Sequence, residues 1–182
     1  MSYVRYIVAA IVLLIAADTQ AQDADSSAMK SLIVYGDGFS FGVKEPQGWT
    51  GDIDRAAEYH SNIVFYPVGE DPDKAALVQV SAFQKQDEKT QNDLAFDVKS
   101  YEQQHASLKK EDLAASHKEY RVFAKLVFVK DEFFQYIAYV NPGQKFGKGF
   151  SVAMNVQKRR ATDEELKAFL ETITSLRMIG CK

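Results

Sequence analysis

Cysteine is nearly absent from this chain, and so is any excess of basic charge. The 182 residues include one cysteine, Cys181. No disulfide can therefore form within the chain, which excludes a disulfide-framework miniprotein and a cysteine-based zinc finger. The 22 Lys and Arg residues are outnumbered by 25 Asp and Glu residues, a balance that argues against a nucleic-acid-binding protein. With 46% hydrophobic residues, the chain can still bury the core of one ordinary domain.

Long apolar runs are also lacking, except near the N-terminus. Met1–Ala21 reads as a secretory signal peptide, with Arg5 before an uncharged run over residues 6–17 and small residues ahead of a cleavage site after Ala21. An uncleaved anchor helix or a buried helix is the alternative, although a membrane span needs ~20 apolar residues. We predict a flexible leader over residues 22–30, one globular domain over residues 31–180, and a periplasmic or secreted protein.

The first half of the predicted domain alternates strand and turn signals. Residues 32–35 and 39–43 are apolar or alternating and flank Gly36-Asp37-Gly38, which predicts a hairpin. Residues 63–66 and 76–83 predict two further strands, and a short helix is possible over residues 52–59. Over residues 90–108 the apolar spacing changes to that of a helix, with Leu94, Val98 and His105 on one stripe.

The second half is the more apolar one. Residues 120–129 and 132–140 predict two paired strands, and the first is apolar on both faces, which predicts a central strand covered on each side. Residues 150–157 predict another strand. Thr162 and Glu165 form a capping box that begins a final helix, for which Gly180 is the expected stop. Consecutive strands with short connections imply an α+β fold, a central antiparallel sheet with helices packed on it.

The segment after the predicted hairpin turn resembles a known family. The pattern of Phe39, Phe41, Pro46, Gly48 and Trp49 is similar to the opening of PsbP-like domains, including bacterial exported proteins of the DcrB type. The end of the last helix, Ser175-Leu176-Arg177, is similar too, so that the resemblance covers about residues 31–179. It implies an α/β/α sandwich, and a binding, scaffold or chaperone role. The ion-retaining role of the plant photosystem members is not carried over, because no ion ligand can be matched.

Residue patterns that would carry chemistry are missing. No two of His60, His105 and His117 have metal-ligand spacing; we expect His105 at the core edge and the other two in solvent. No nucleophile elbow and no glycine-rich phosphate loop occur. Three carboxylates, at Glu70, Asp71 and Asp73, could hold a weak Ca²⁺ ion, but they lack the alternating spacing of a calcium loop, so a solvated loop is favoured. We therefore expect no cofactor and no catalytic residues.

Two aromatic residues stand where solvent is expected. Phe96 lies opposite the Leu94 stripe of its helix, and Phe146 lies in a glycine- and lysine-rich loop with Lys145 and Lys148. Exposed aromatic side chains often anchor a partner, although another segment of the same chain more often covers them. We predict a non-enzymatic exported binding or accessory module acting on a protein or an envelope component through these four residues. The alternatives are an effector-specific immunity or chaperone-like protein, and a small secreted hydrolase with an unrecognised site.

Further basic residues flank the predicted strand over residues 150–157. Lys158, Arg159 and Arg160 follow it, whereas Lys145 and Lys148 precede it. We expect these residues to gather at the two ends of that strand rather than in one patch. A charged rim is the ordinary interpretation of such residues, and a surface for an anionic partner is the functional one.

Overall fold

The computed structural model describes residues 30–86 and 90–181, so the predicted signal peptide and most of the leader lie outside the described residues. Ten strands and two α-helices are described: β1 (Ser31–Gly36), β2 (Phe39–Lys44), β3 (Trp49–Asp52), β4 (Ile63–Pro67), β5 (Leu77–Gln84), α1 (Thr90–Gln104), β6 (Lys109–Asp112), β7 (Arg121–Val129), β8 (Phe133–Asn141), β9 (Lys148–Gln157), α2 (Asp163–Ser175) and β10 (Arg177–Cys181). A 3₁₀ helix over Arg55–Tyr59 follows β3. None of the described helices is long and apolar enough to cross a membrane.

Two antiparallel sheets organise the described chain. The large sheet has seven strands in the order β3-β4-β5-β9-β8-β7-β6, and the small sheet has three in the order β1-β2-β10. Since the helices pack on the large sheet and each strand pairs antiparallel with its neighbours, the predicted α+β class is confirmed. The small sheet was not anticipated, because β10 pairs with β2 across most of the chain length and carries no alternating pattern of its own.

The predicted hairpin is present, and a close approach explains one of its glycines. Gly36 pairs with Phe39 across the two-residue turn Asp37-Gly38. A Cβ atom at Gly36 would lie 2.0 Å from Cζ of Phe39, so the aromatic ring occupies the space that any other side chain would need. Gly38 has φ +70°, the left-handed conformation that glycine adopts without strain. The turn chemistry that predicted the hairpin therefore also fixes its geometry.

One face of the large sheet carries the main core. We call it the α2 face; its inward side chains include Phe150, Met154 and Val152 of β9, which pack with Phe169 and Ile173 of α2. The small sheet closes the same core with buried residues of its own: Val34, Phe41, Val43 and Met178. The capping box is formed: Thr162 Oγ1 accepts from the Glu165 amide, and Glu165 Oε2 accepts from the Thr162 amide. Helix α2 thus begins where the sequence predicts.

The opposite face, the α1 face, has a much smaller apolar cluster. Leu94 and Val98 of α1 pack against Val127, Ile137 and Tyr139. The alternation along β7 and β8 sends odd-numbered residues to this face and even-numbered residues to the α2 face. Both faces of β7 are therefore covered, as its sequence predicts.

Four predictions about the elements are corrected by the structure. Strand β7 is not central but second from the edge, with only the charged β6 beyond it. Helix α1 ends at Gln104, four residues earlier than the apolar stripe predicts, because residues 109–112 pair with β7 instead. Gly180 is not a helix stop: α2 ends at Ser175, and Gly180 lies inside β10. His117 is not solvated, since its ring binds three backbone groups.

Candidate functional site

Phe96 is exposed on α1, as its position in the helix predicts. Its side chain is 62% exposed, and the residues one turn away on the same surface are Asn92, Lys99 and Ser100. This residue belongs to the helix that covers the α1 face of the sheet. The ring is an isolated apolar group within a polar helix surface, rather than the centre of an apolar patch.

The other three predicted residues lie away from Phe96, with Lys145 and Phe146 in the loop before β9 and Lys148 as the first residue of that strand. Phe146 is half-buried and packs against the core of the α2 face, whereas Phe96 belongs to the layer on the α1 face. Lys145 Nζ lies 4.9 Å from the centre of the Phe146 ring, within the range of a cation–π contact. The structure therefore does not bring Phe96 and Phe146 onto one surface.

Phe39 and Lys85, which sequence reasoning did not assign to the candidate site, join this loop. Lys148 Nζ lies 5.1 Å from the centre of the Phe39 ring, and Lys85 Nζ donates to Gly143 O at 2.9 Å. The Lys85 amide donates to Gly147 O at 3.2 Å, which ties the end of β5 to the loop. We call the set Phe39, Lys85, Lys145, Phe146 and Lys148 the lysine–aromatic end. Residue spacing could not reveal it, because its members come from three distant segments.

The charges of the lysine–aromatic end are not neutralised within the described chain. Among residues 30–86 and 90–181, the ion pairs involve none of its three lysines. Along the chain, Asp37 lies two residues before Phe39, and Asp87 and Glu88, which lie outside the described residues, follow Lys85. Lys145 is exposed and Lys85 and Lys148 are partly exposed, so these ammonium groups can contact an anionic partner without first breaking an ion pair of the described residues.

The arginines that follow β9 behave differently. Arg159 makes two hydrogen bonds to the Glu165 carboxylate, at 2.6 and 2.7 Å, and this pairing lowers the pKa of Glu165. Arg160 makes two to Glu111, at 2.6 and 3.1 Å, and lies over the Phe128 ring. Both guanidinium groups hold parts of the fold together. The basic residues around β9 therefore lie at the two ends of the strand, as the sequence indicates, and the structure adds that Arg159 and Arg160 at one end are paired.

The residues of the family-like motif have structural positions. Trp49 is 7% exposed and packs into the core of the α2 face, and Phe41 is fully buried with its ring 5.2 Å from that of Phe150. Pro46 O accepts from the Trp49 amide at 3.0 Å, which closes the turn, and Gly48 has φ +79°. This motif anchors the start of the large sheet and offers no group for chemistry.

A groove of about 630 Å³ runs between Trp49 and the first turns of α2. Its charged lining includes Lys74, Arg159, Glu165, Lys167 and Glu171. Two ion pairs occupy most of these groups: Arg159 with Glu165 at 2.6 Å, and Lys167 with Glu171 at 3.7 Å. A ligand here would have to displace internal pairs, so the groove is a weaker candidate than the lysine–aromatic end.

The acidic loop does not converge on an ion. Asp71 accepts from the Asp73 amide and pairs with Lys74 at 3.1 Å, and both contacts lower the pKa of Asp71. Asp73 pairs with Arg55 at 3.0 Å and accepts from the Tyr59 hydroxyl at 3.1 Å. Within the described residues no group of three potential metal ligands comes together. The segment with Glu70, Asp71 and Asp73 is thus a loop in which the two aspartates bind cationic side chains.

The histidine contacts are structural as well. His117 Nδ1 accepts from the amides of Glu119 and Tyr120, both at 3.0 Å, so Nε2 carries the proton and donates to Leu176 O at 2.9 Å. The ring also stacks on Tyr120, with centroids 4.4 Å apart. His105 follows the last residue of α1, and its ring lies 5.0 Å from that of Phe133, at the core edge as predicted.

One tyrosine beneath α1 has a strongly raised pKa. The Tyr139 hydroxyl donates to Asp97 Oδ2 at 2.5 Å. Burial of the phenol, reinforced by this hydrogen bond, raises the pKa of Tyr139 far above its ordinary value. A phenol held in its neutral form is a poor base and a poor nucleophile, and the carboxylates of Asp97 and Asp93 beside it favour that neutral form. The pair therefore attaches α1 to the sheet.

Comparisons with known proteins add one structural similarity. No family model matches the chain, and no curated protein matches it. Among solved structures, the chain is similar to cyanobacterial PsbP (CyanoP) from Synechocystis sp. PCC 6803, determined in solution. The identity is 18%, the alignment covers 87% of this chain and 98% of that one, and the TM-score is 0.49. The closer resemblance to proteins of the DcrB type stays a prediction from the sequence.

Proposed function

We propose that this chain is a binding module that recognises an acidic surface of a partner protein through the lysine–aromatic end. The observation that carries the proposal is that Lys145 and Lys148 lie over the rings of Phe146 and Phe39, and Lys85 binds Gly143 O of the same loop. None of the three lysines makes an ion pair among the described residues. Lysine side chains steer an anionic partner during encounter, and an aromatic ring supplies apolar contact area at low entropic cost. The signal-like N-terminus would place this binding in the periplasm or outside the cell.

The proposal includes binding without chemistry. Contacts within the chain engage several groups that could serve as bases, nucleophiles or ligands: His117 binds backbone groups, Tyr139 binds Asp97, and the two aspartates of the acidic loop bind Arg55 and Lys74. An enzyme needs at least one such group directed at a substrate. No specific observation favours the immunity or the hydrolase alternative, so neither is developed further.

Charge reversal tests the proposal. Lys145→Glu together with Lys148→Glu should abolish most of the capture of the native partner from the host envelope fraction, and binding by the unchanged protein should weaken steeply with salt. Lys118→Glu together with Lys130→Glu is the matched control, since both residues are exposed, make no ion pair among the described residues, and lie elsewhere. This control should bind normally.

Two results would refute the proposal. If both double variants weaken capture equally, net charge rather than this surface governs binding. If the purified protein turns over a hydrolase substrate and a point variant abolishes the turnover, the protein is an enzyme.

A further inference from the structure

The two sheets have four edge strands, and three of these edges are protected against further pairing. An exposed sheet edge presents unpaired backbone groups, and native proteins shield such edges with charges, short strands, bulges or covering segments. Strand β6 consists of Lys109, Lys110, Glu111 and Asp112, all charged and exposed. Strand β3 is only four residues long. Both outer edges of the large sheet are therefore poor templates for another chain.

The β10 edge of the small sheet is covered by side chains. The Tyr120 hydroxyl accepts from the Met178 amide at 3.2 Å, and His117 Nε2 donates to Leu176 O at 2.9 Å. The pairing with β2 is also irregular between Met178 and Gly180. Two aromatic side chains and a bulge thus occupy this edge, and a strand from elsewhere would have to displace them.

The β1 edge has no comparable protection. Its six residues, Ser31–Gly36, include no charged residue and no proline, and they pair with β2 without a bulge. Ile33 is 50% exposed and Tyr35 is 77% exposed, both on the outer face of the small sheet. On its other side β1 has no partner strand among the described residues. An apolar, regular and open edge of this kind is a template for pairing.

The alternation of hydrogen-bonded pairs between β1 and β2 shows which backbone groups of β1 are open, that is, do not bond to β2. The Glu45 amide donates to Lys30 O at 2.9 Å, so positions 30, 32, 34 and 36 form the hydrogen-bonded pairs with β2. The N–H and C=O groups of Ser31, Ile33 and Tyr35 consequently point away from β2. The open backbone groups therefore belong to the same residues whose side chains are exposed on the outer face.

We propose that β1 pairs antiparallel with β1 of a second copy of this chain, which joins two small sheets into one of six strands. Centred on Val34, this register places Ile33 opposite the partner's Tyr35 and joins the open backbone groups of both residues. A β-branched residue opposite an aromatic one is a favourable cross-strand pair, and the two-fold symmetry forms it twice.

The charges at the two ends of β1 favour a second copy of this chain as the partner, in antiparallel orientation. Lys30 precedes the strand and Asp37 follows it, and the uncharged residues lie between them. An antiparallel copy brings the Lys30 end of one chain to the Asp37 end of the other, at both ends of the interface. A parallel copy would place like charges together. Lys30 also pairs with Glu45 at 3.6 Å, but it is exposed enough to turn toward the partner.

The test is the oligomeric state of the purified full chain, measured by sedimentation equilibrium with reductant present so that Cys181 cannot cross-link two chains. We expect a concentration-dependent dimer. Ile33→Pro removes an open N–H without touching the β1–β2 bonds, and should raise the dimer dissociation constant by about tenfold or more, the effect of losing roughly 1.4 kcal/mol. Ile179→Lys is the matched control, since Ile179 is 47% exposed on β10, and it should leave the dimer intact.

Circular dichroism distinguishes failure to fold from failure to pair. If Ile33→Pro unfolds, Ile33→Lys replaces it, because a lysine on an edge strand blocks pairing without changing the backbone. A monomer at all concentrations overturns the proposal, as does a dimer that both Ile33 variants leave unchanged. A dimer broken equally by Ile179→Lys also overturns it, because the two copies would then stack face to face. Neither result bears on the lysine–aromatic end, which Lys145→Glu and Lys148→Glu test.

Discussion

The two faces of the large sheet are stabilised in different ways. On the α2 face, a capped amphipathic helix and the small sheet enclose a continuous apolar core that includes Phe41, Phe150 and Phe169, all fully buried. On the α1 face, a weakly amphipathic helix packs two apolar residues of its own against three buried residues of the sheet, and a tyrosine–aspartate hydrogen bond adds a polar attachment. The comparison indicates that apolar burial supplies most of the stability from one side, whereas directed polar contacts matter more on the other.

Truncation of one buried side chain on each face should give the largest contrast. Phe169→Ala should lower the free energy of unfolding by about 3–5 kcal/mol, because it removes a fully buried ring and leaves a cavity. Leu94→Ala should cost about 2–3 kcal/mol, since α1 has fewer neighbours and can settle onto the sheet. Denaturant unfolding followed by circular dichroism and by the fluorescence of Trp49 measures both. An equal or larger loss for Leu94→Ala would show that the faces do not differ as described.

Removal of the Tyr139 hydroxyl should break the polar attachment of α1. Tyr139→Phe should cost about 1–3 kcal/mol at neutral pH, because the buried side of Asp97 loses its donor. Tyr35→Phe, on an exposed ring, is the matched control and should change stability by no more than about 0.5 kcal/mol.

The same pair predicts a pH dependence with a definite sign. Since burial raises the pKa of Tyr139 above its ordinary value of 10.0, the folded protein keeps this proton more tightly than the unfolded chain. The contribution of the Tyr139 proton to the free energy of unfolding is complete below pH 10 and is lost as the pH rises further. Unfolding free energies measured between neutral pH and about pH 11 should fall less steeply for Tyr139→Phe than for the unchanged protein. Parallel pH curves would contradict this assignment.

Loss of the α2 cap should have an intermediate effect. Thr162→Ala should cost about 1 kcal/mol, because the Glu165 amide loses its acceptor at the start of the helix that carries the main core. Thr174→Ala, at an exposed position of the same helix, should stay within about 0.5 kcal/mol. Thermal unfolding of both variants measures the difference. A larger loss for Thr174→Ala would mean that the cap contributes little.

The smallest expected effects on stability distinguish Phe96 from Phe146. Phe96→Ser should change stability by no more than about 0.5 kcal/mol, because the ring has lost little contact with water on folding. Phe146→Ser should cost about 1–2 kcal/mol, since half of the ring packs against the core. Chemical denaturation of the single variants measures this. If Phe96→Ser proves the more costly change, the ring is not as exposed as described.

Sequence reasoning found the elements whose local signals are strong. The hairpin was predicted because Asp37-Gly38 separates two alternating strands, and α2 because a capping box precedes an apolar stripe. Strands β7 and β8 were predicted from their apolar runs, and β9 from the alternation of apolar and polar residues. Strands β3, β6 and β10 were missed, since β6 is entirely charged and the other two are short and contain a glycine. Their strand conformation comes from the neighbour with which they pair.

The candidate site could be predicted only in part for a similar reason. Phe146, Lys145 and Lys148 are close in sequence, so their loop was recognisable, whereas Phe39 and Lys85 join them only through the fold. Phe96 had the same sequence signal as Phe146, yet the sheet separates the two residues. Spacing along a chain predicts neighbours within one helix or strand, and it contains no information about which distant segments meet.

The sequence by itself determined the class of the fold, the positions of the hairpin and of α2, and the absence of a disulfide within the chain, because turn residues and caps act locally and one cysteine has no partner in the same chain. Only the tertiary structure decided which basic residues are paired, which side chains cover β10, and which strand edge stays open. Those outcomes depend on contacts between segments as far apart as Tyr120 and Met178, whose energies arise only after the strands between them have taken their places in the sheets.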